Sequence, residues 1–167
     1  MSFRDNIRVE DDFNNILDKN IWIKHEGITA QNNIGDFYYT VIGKNVDFKI
    51  DCYNNRDNIV LEEKQISGTS WLTELDEQTI IAYVKINTGC CFCWTIKQLK
   101  EFKNTKIYKN RKSLKSWSGT TFKNFKLHEM PPVCFILKFD VTSLYAYLKE
   151  DRLAETKYKK KKKNETI

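Results

Sequence analysis

Asp47, Glu62 and Lys64 are the side chains in this chain whose types and spacing could do chemistry. They lie in residues 46–65, which read Val-Asp-Phe-Lys-Ile-Asp-Cys-Tyr, then Asn-Asn-Arg-Asp-Asn, then Ile-Val-Leu-Glu-Glu-Lys-Gln. The flanks have strand character and are predicted as strands over about 46–53 and 59–65. The Asn- and Asp-rich residues between them supply turn chemistry. Residues two apart on a strand share a face, so Glu62 and Lys64 project together, with Asp47 on the neighbouring strand. Two carboxylates and an amine on a hairpin can hold a divalent metal ion and activate a water. Asp51 shares the face of Asp47 and is the fallback acid if the register differs.

Acid-x-Lys occurs four times, at Asp47-Phe48-Lys49, Glu62-Glu63-Lys64, Glu101-Phe102-Lys103 and Glu155-Thr156-Lys157. Glu155 lies in a polar tail, and Glu101 ends a helical pattern. Glu62 follows the apolar run Ile59-Val60-Leu61 and has an acid-bearing strand upstream. On these residues the chain resembles the PD-(D/E)xK nuclease superfamily over residues 36–96. Asp47 takes the place of the first acid and Glu62-Glu63-Lys64 follows fifteen residues later, with Val46 where the pattern has Pro.

The resemblance implies an Mg²⁺-dependent phosphodiesterase that hydrolyses DNA, with Mn²⁺ substituting. Asp47, Glu62 and the Glu63 carbonyl would hold the ion, and Lys64 would orient or deprotonate the water or stabilise transition-state charge. Some relatives carry an acid on the first helix that faces the metal, and Glu10 is the residue for that role. The plainer reading of Glu10, Asp11 and Asp12 is that they complement the helix dipole. Some relatives use a His upstream of the acids, which draws attention to His25, although a lone His is more often structural. A viral or mobile-element endonuclease, a restriction-like enzyme and a dimeric resolvase of branched DNA all fit. An RNA endonuclease and a non-catalytic nucleic-acid-binding module stay open.

Composition frames these readings. The 167 residues hold 28 Lys and Arg against 22 Asp and Glu, a net charge of +6, which suits a polyanionic partner. A hydrophobic content of 41% and an aromatic content of 13% can build one core, expected over residues 1–153. The start, Met1-Ser2-Phe3-Arg4-Asp5, has no apolar signal-like run, and no stretch approaches the roughly 20 apolar residues of a membrane span. An intracellular, soluble protein is expected. Richness in Lys, Asn and Ile points to an AT-rich genome, such as that of a virus. Cys52, Cys90, Cys91, Cys93 and Cys134 sit in apolar strand-like runs and read as buried free thiols rather than a zinc site.

The remaining elements must position the site. Val9, Phe13, Ile16 and Leu17 repeat with helical period, which predicts a helix over 8–19. Residues 21–24 read as a short strand or a helix end. A strand over 36–43 is expected to pair with 47–53, and that strand with 59–65, as a three-stranded meander. Asp36 is a further possible metal ligand, although an acid starting a strand is usually a turn residue.

Ser67 and Thr69 lie in a small-residue loop that suits phosphate contact. A helix is predicted over 73–84 with Thr73 as its cap, a buried strand over 89–95 and a helix over 96–102. Residues 103–126 read as irregular and basic. There Lys109, Arg111, Lys112 and Lys115 interleave with Tyr108, Trp117, Phe122 and Phe125, which fits either a nucleic-acid groove or a solvated loop. A strand over 133–139 and a helix over 141–153, capped by Asp140, complete the domain. Residues 154–167 form a lysine-rich tail expected to be disordered. The order αβββαβαβα gives an α/β fold. By resemblance it is a restriction-endonuclease-like core, a mixed central sheet flanked by helices.

Overall fold

The computed structural model describes residues 3–52, 58–64, 70–116 and 119–144. The protein is mixed α/β, with a six-stranded mixed sheet, a smaller three-stranded sheet and flanking helices. The helix α1 (Phe3–Ile16) leads into a meander of β1 (Trp22–Lys24), β2 (Phe37–Tyr39) and β3 (Lys44–Asp51), with α2 (Ile28–Ile34) between the first two strands. The meander was expected one strand later. Its antiparallel register sets Lys24 opposite Phe37, and Phe37 opposite Val46.

The strand β4 (Asn58–Lys64) forms where the apolar run predicts it but does not pair with β3. It lies in the second sheet, beside β8 (Thr121–Lys126), which in turn pairs with β7 (Leu114–Lys115). A partner some sixty residues downstream leaves no mark in the local pattern.

The predicted helix over 73–84 is replaced by α3 (Trp71–Glu74) and the strand β5 (Ile80–Lys85). Ser70, not Thr73, caps α3, its hydroxyl accepting from the Leu72 N–H at 3.1 Å. Every residue of β5 is buried and it runs parallel to β3, so its apolar run is that of a central strand covered on both faces. Antiparallel β6 (Cys90–Thr95) and β9 (Phe135–Lys138) complete the sheet. A capping box starts α4 (Ile96–Lys103), with Thr95 and Gln98 exchanging bonds. The basic region is not irregular, since α5 (Lys106–Asn110), β7 and β8 lie within it. Asp140 accepts from the Thr142 N–H and hydroxyl, as a cap should; the predicted helix beyond 144, Trp117 and the tail lie outside the described residues.

Strand alternation gives the large sheet two unlike faces. Val46, Phe48, Ile80, Ala82 and Val84 pack with Val9 and Phe13 of α1, with Leu17 just after it, and with Trp22, Phe37 and Tyr39. The opposite face offers Ile81, Tyr83 and Trp94 to α4, α5 and the small sheet, through Ile59, Leu61, Leu99, Tyr108 and Phe125. Asp47, Lys49 and Asp51 alternate with the first set and belong to the second face. Each apolar residue buried contributes about 1.5–3 kcal/mol, enough to clamp both layers on the strands that carry the acids.

Among the cysteines, Cys91 and Cys93 are buried, Cys52 and Cys90 half-buried, and Cys134 exposed, which corrects the expectation for the last. Among the described residues no helix is long and apolar enough to cross a membrane.

Candidate active site

The acids of this site meet on β2 and β3. The register that sets Phe37 opposite Val46 brings Asp36 level with Asp47, on the same face. Gly35 makes this approach fit. It ends α2 at φ +93°, and a Cβ there would stand 2.9 Å from the Val46 carbonyl oxygen. The two carboxyls share a hydrogen bond, and the Phe48 N–H donates to Asp36. Burial, then the charge of Asp47, pushes the Asp36 carboxyl up to about 7. Asp47 is 6% exposed. Its Oδ2 lies 2.8 Å from the Lys49 ammonium, yet among the described residues no hydrogen bond is aligned on that atom. Burial opposes the charge of Lys49, but Asp47, Asp36 and Glu62 outweigh it and hold its pKa above the usual lysine value.

Two further acids border this core. Glu10, on α1, lies in the field of Lys49 and Asp47, and burial raises its carboxyl above the usual range. Glu62 lies close enough to Lys49 to raise its pKa, and the Glu62 Oε1 is buried without a hydrogen-bond partner among the described residues. The strand β4 is held over β3 and β5 by a polar network one strand-length away. The Tyr83 hydroxyl donates to Asp51 at 2.8 Å and accepts from the Val60 N–H at 3.1 Å. The Lys85 ammonium reaches Asp51 at 3.2 Å and also bonds the Asn58 carbonyl. Asp51 is therefore spent on structure.

The structure thus sets Lys49 beside Asp47, with Glu62 and Glu10 in the field of that lysine, and holds Lys64 apart from them. Lys64 is exposed, beyond a register shift in β4, and its carbonyl takes the Thr121 hydroxyl. Glu63 turns to the small sheet, accepting from the Ser113 hydroxyl at 2.6 Å with Lys123 at 3.8 Å. The acid-x-Lys of this site is Asp47-Phe48-Lys49, and its upstream acid is Asp36. The His25 Nε2 pairs with Asn45 at 2.9 Å, and the His25 backbone N–H donates to the Asp36 backbone carbonyl.

Ser67 and Thr69 lie outside the described residues. Lys109, Lys112 and Lys115 are exposed, whereas Arg111 is bound to Glu129 and lies over the Phe125 ring. Tyr108 and Phe125 are core residues and Lys123 is buried against the Tyr108 ring, so these are not open stacking platforms.

No family model, curated protein or solved structure matches the chain.

The donor chemistry fits a hard divalent cation. The Asp36 carboxyl holds a proton beside the Asp47 charge where a cation would satisfy both groups. Among the described residues no three acidic or imidazole side chains close around one point. Asp36 and Asp47 would hold the ion, its other positions going to water and substrate oxygen, as Mg²⁺ prefers.

Proposed function

We propose that the protein is a metal-dependent nuclease that hydrolyses phosphodiester bonds in DNA. The carrying observation is the Asp36–Asp47 carboxyl pair on adjacent antiparallel strands, with the Lys49 ammonium 2.8 Å from Asp47. The order α1, β1–β2–β3 meander and then β5 parallel to β3 suits the PD-(D/E)xK resemblance, now carried by Asp36 and Asp47-Phe48-Lys49. A divalent ion bound there would lower the pKa of a water and neutralise charge on the phosphate.

The chain's own residues supply the rest. Asp36 and Asp47 present oxygens for the ion once the shared proton has left. Lys49 stays cationic and offers its ammonium to a phosphate oxygen or to the attacking water. Glu10 and Glu62 bring further carboxylate charge to the rim, where water or a second ion can be oriented. Lys112 and Lys115 flank Ser113, which is bonded to Glu63 on the strand that carries Glu62, and these exposed cations would guide a polyanion.

The test is cleavage of plasmid, linear and branched DNA with Mg²⁺, Mn²⁺ or excess chelator. Cleavage that needs the metal and disappears in Asp47→Asn supports the reading. Undiminished cleavage by Asp47→Asn, or metal-dependent cleavage of RNA alone, overturns it.

A further inference from the structure

Away from the acids, the two sheets part to leave a pocket of about 710 Å³. The apolar lining comes from the half-buried ring of Phe92 in β6 and from exposed Leu127, with fully buried Ile59 of β4 behind them. One wall is polar, from Asn87 and Thr88 in the β5–β6 turn, and the Asn87 Oδ1 has no hydrogen-bond partner among the described residues. The rim is basic. Lys126 and His128 are exposed and line it, and Lys85 borders it with its charge answered by Asp51. No carboxylate lines the pocket among the described residues. Asp47 is level with Ile81, and Lys85 lies four residues on, so the pocket is roughly 13 Å along β5 from the acids.

We infer that this pocket binds a nucleoside phosphate unit, its base against Phe92 and Leu127 and its phosphate at Lys126 and His128. The volume falls in the range of small-ligand sites of about 300–1,000 Å³, which bind through an apolar body and a few placed polar groups. The basic rim selects an anion. The apolar lining with its aromatic ring selects a flat hydrophobic body. The amide and hydroxyl wall selects a body with hydrogen-bonding edges, which a fatty acid would leave unpaired. A base with its phosphate meets all three demands. The unit could be a free mononucleotide or one residue of a bound strand. The inference does not need the hydrolytic reading, although the spacing lets a strand held at the acids reach the pocket.

Cys90 lines the pocket and is half-buried, and Cys134 is exposed and is not among the lining residues, so alkylation reports occupancy with an internal control. The full chain is treated with iodoacetamide while adenosine monophosphate, adenosine, inorganic phosphate or a short single-stranded oligonucleotide is titrated in. Labelling at each cysteine is followed by peptide mass spectrometry. The mononucleotide, the oligonucleotide or both are expected to slow Cys90 about fivefold at a concentration about four times Kd, leaving Cys134 unchanged. The ligand that protects at the lower concentration names the source. Lys126→Glu, an exposed change, is expected to remove the protection.

Unchanged Cys90 labelling with both nucleotides overturns the inference. So does equal protection by phosphate alone or adenosine alone, or full protection in Lys126→Glu. Asp47→Asn, which should lose cleavage, is expected to keep Cys90 protection, so a failure of one reading is told apart from a failure of the other.

Discussion

The ammonium beside Asp47 belongs to Lys49, two residues along the same strand, and this choice can be tested at single positions. Removing a charge that stabilises a developing oxyanion typically lowers turnover by about 10²–10³-fold. Lys49→Ala and Asp47→Asn are therefore expected to lose at least about 100-fold in metal-dependent cleavage. Lys64→Ala should stay within about twofold, since its exposed ammonium offers no such preorganised charge. Initial rates on one DNA substrate decide the matter, and a loss in Lys64→Ala equal to that in Lys49→Ala would return the site to β4.

The raised carboxyl of Asp36 adds a pH signature. In the unfolded chain Asp36 titrates near 3.8; in the fold it keeps its proton to about 7. Between those values the native state binds more protons than the unfolded state, so this group's contribution to stability falls as pH rises and levels off above about 7. Asp36→Asn should remove that slope, stabilising the protein at pH 8 relative to the native sequence more than at pH 4, read by thermal melts without metal. Mg²⁺ competes with the same proton, so its stabilisation of the native protein should grow through about pH 7 and be absent in Asp36→Asn.

At the scale of the element, the hairpin that pairs the acids depends on Gly35. Its φ of +93° and ψ of −176° are open to glycine and strained for other residues, and the Val46 carbonyl leaves no room for a Cβ. Gly35→Ala should cost about 1–3 kcal/mol in a denaturant melt. It should also lower metal affinity, because the strain falls on the strand carrying Asp47. Tyr83→Phe tests the tie between the sheets. It leaves the Val60 N–H and Asp51 each short of a partner, at about 1–3 kcal/mol, without touching the acids.

These two positions also show what the sequence could and could not reveal. The strand β6 and helix α4 were legible because an apolar run and a capping box are local signals. The strand β5 was not, since Ile80 and Tyr83 also fit a helical spacing once Leu75 is counted with them. That β4 leaves β3 for β8 depends on a partner far along the chain. The acid-x-Lys motif was visible at Asp47-Phe48-Lys49, but Asp36 looks like a turn residue until the register sets it against Asp47.

For the whole molecule, the question is how a chain of net charge +6 arranges that charge around a cluster of acids. The answer turns on which cations are spent internally. Lys49, Lys85, Arg111 and Lys123 are each bound to an acid or a carbonyl. Lys109, Lys112 and Lys115 are exposed and sit on the segment that Ser113 ties to Glu63. If that segment is where DNA lies, each of the three phosphates it neutralises contributes about 0.9 to the slope of log K against log salt. Changing Lys109, Lys112 and Lys115 together to Ala should flatten that slope by up to about 2.7. Cleavage at low salt should survive, because none of the three touches the acid pair. Arg111→Ala should instead act on stability, through loss of Glu129 and of the contact with Phe125, and leave the slope unchanged. Filter binding of one duplex over a series of salt concentrations, with a melt of each variant, separates the two effects. A triple variant with the native slope would move the DNA path off α5 and β7, onto a different face of the protein.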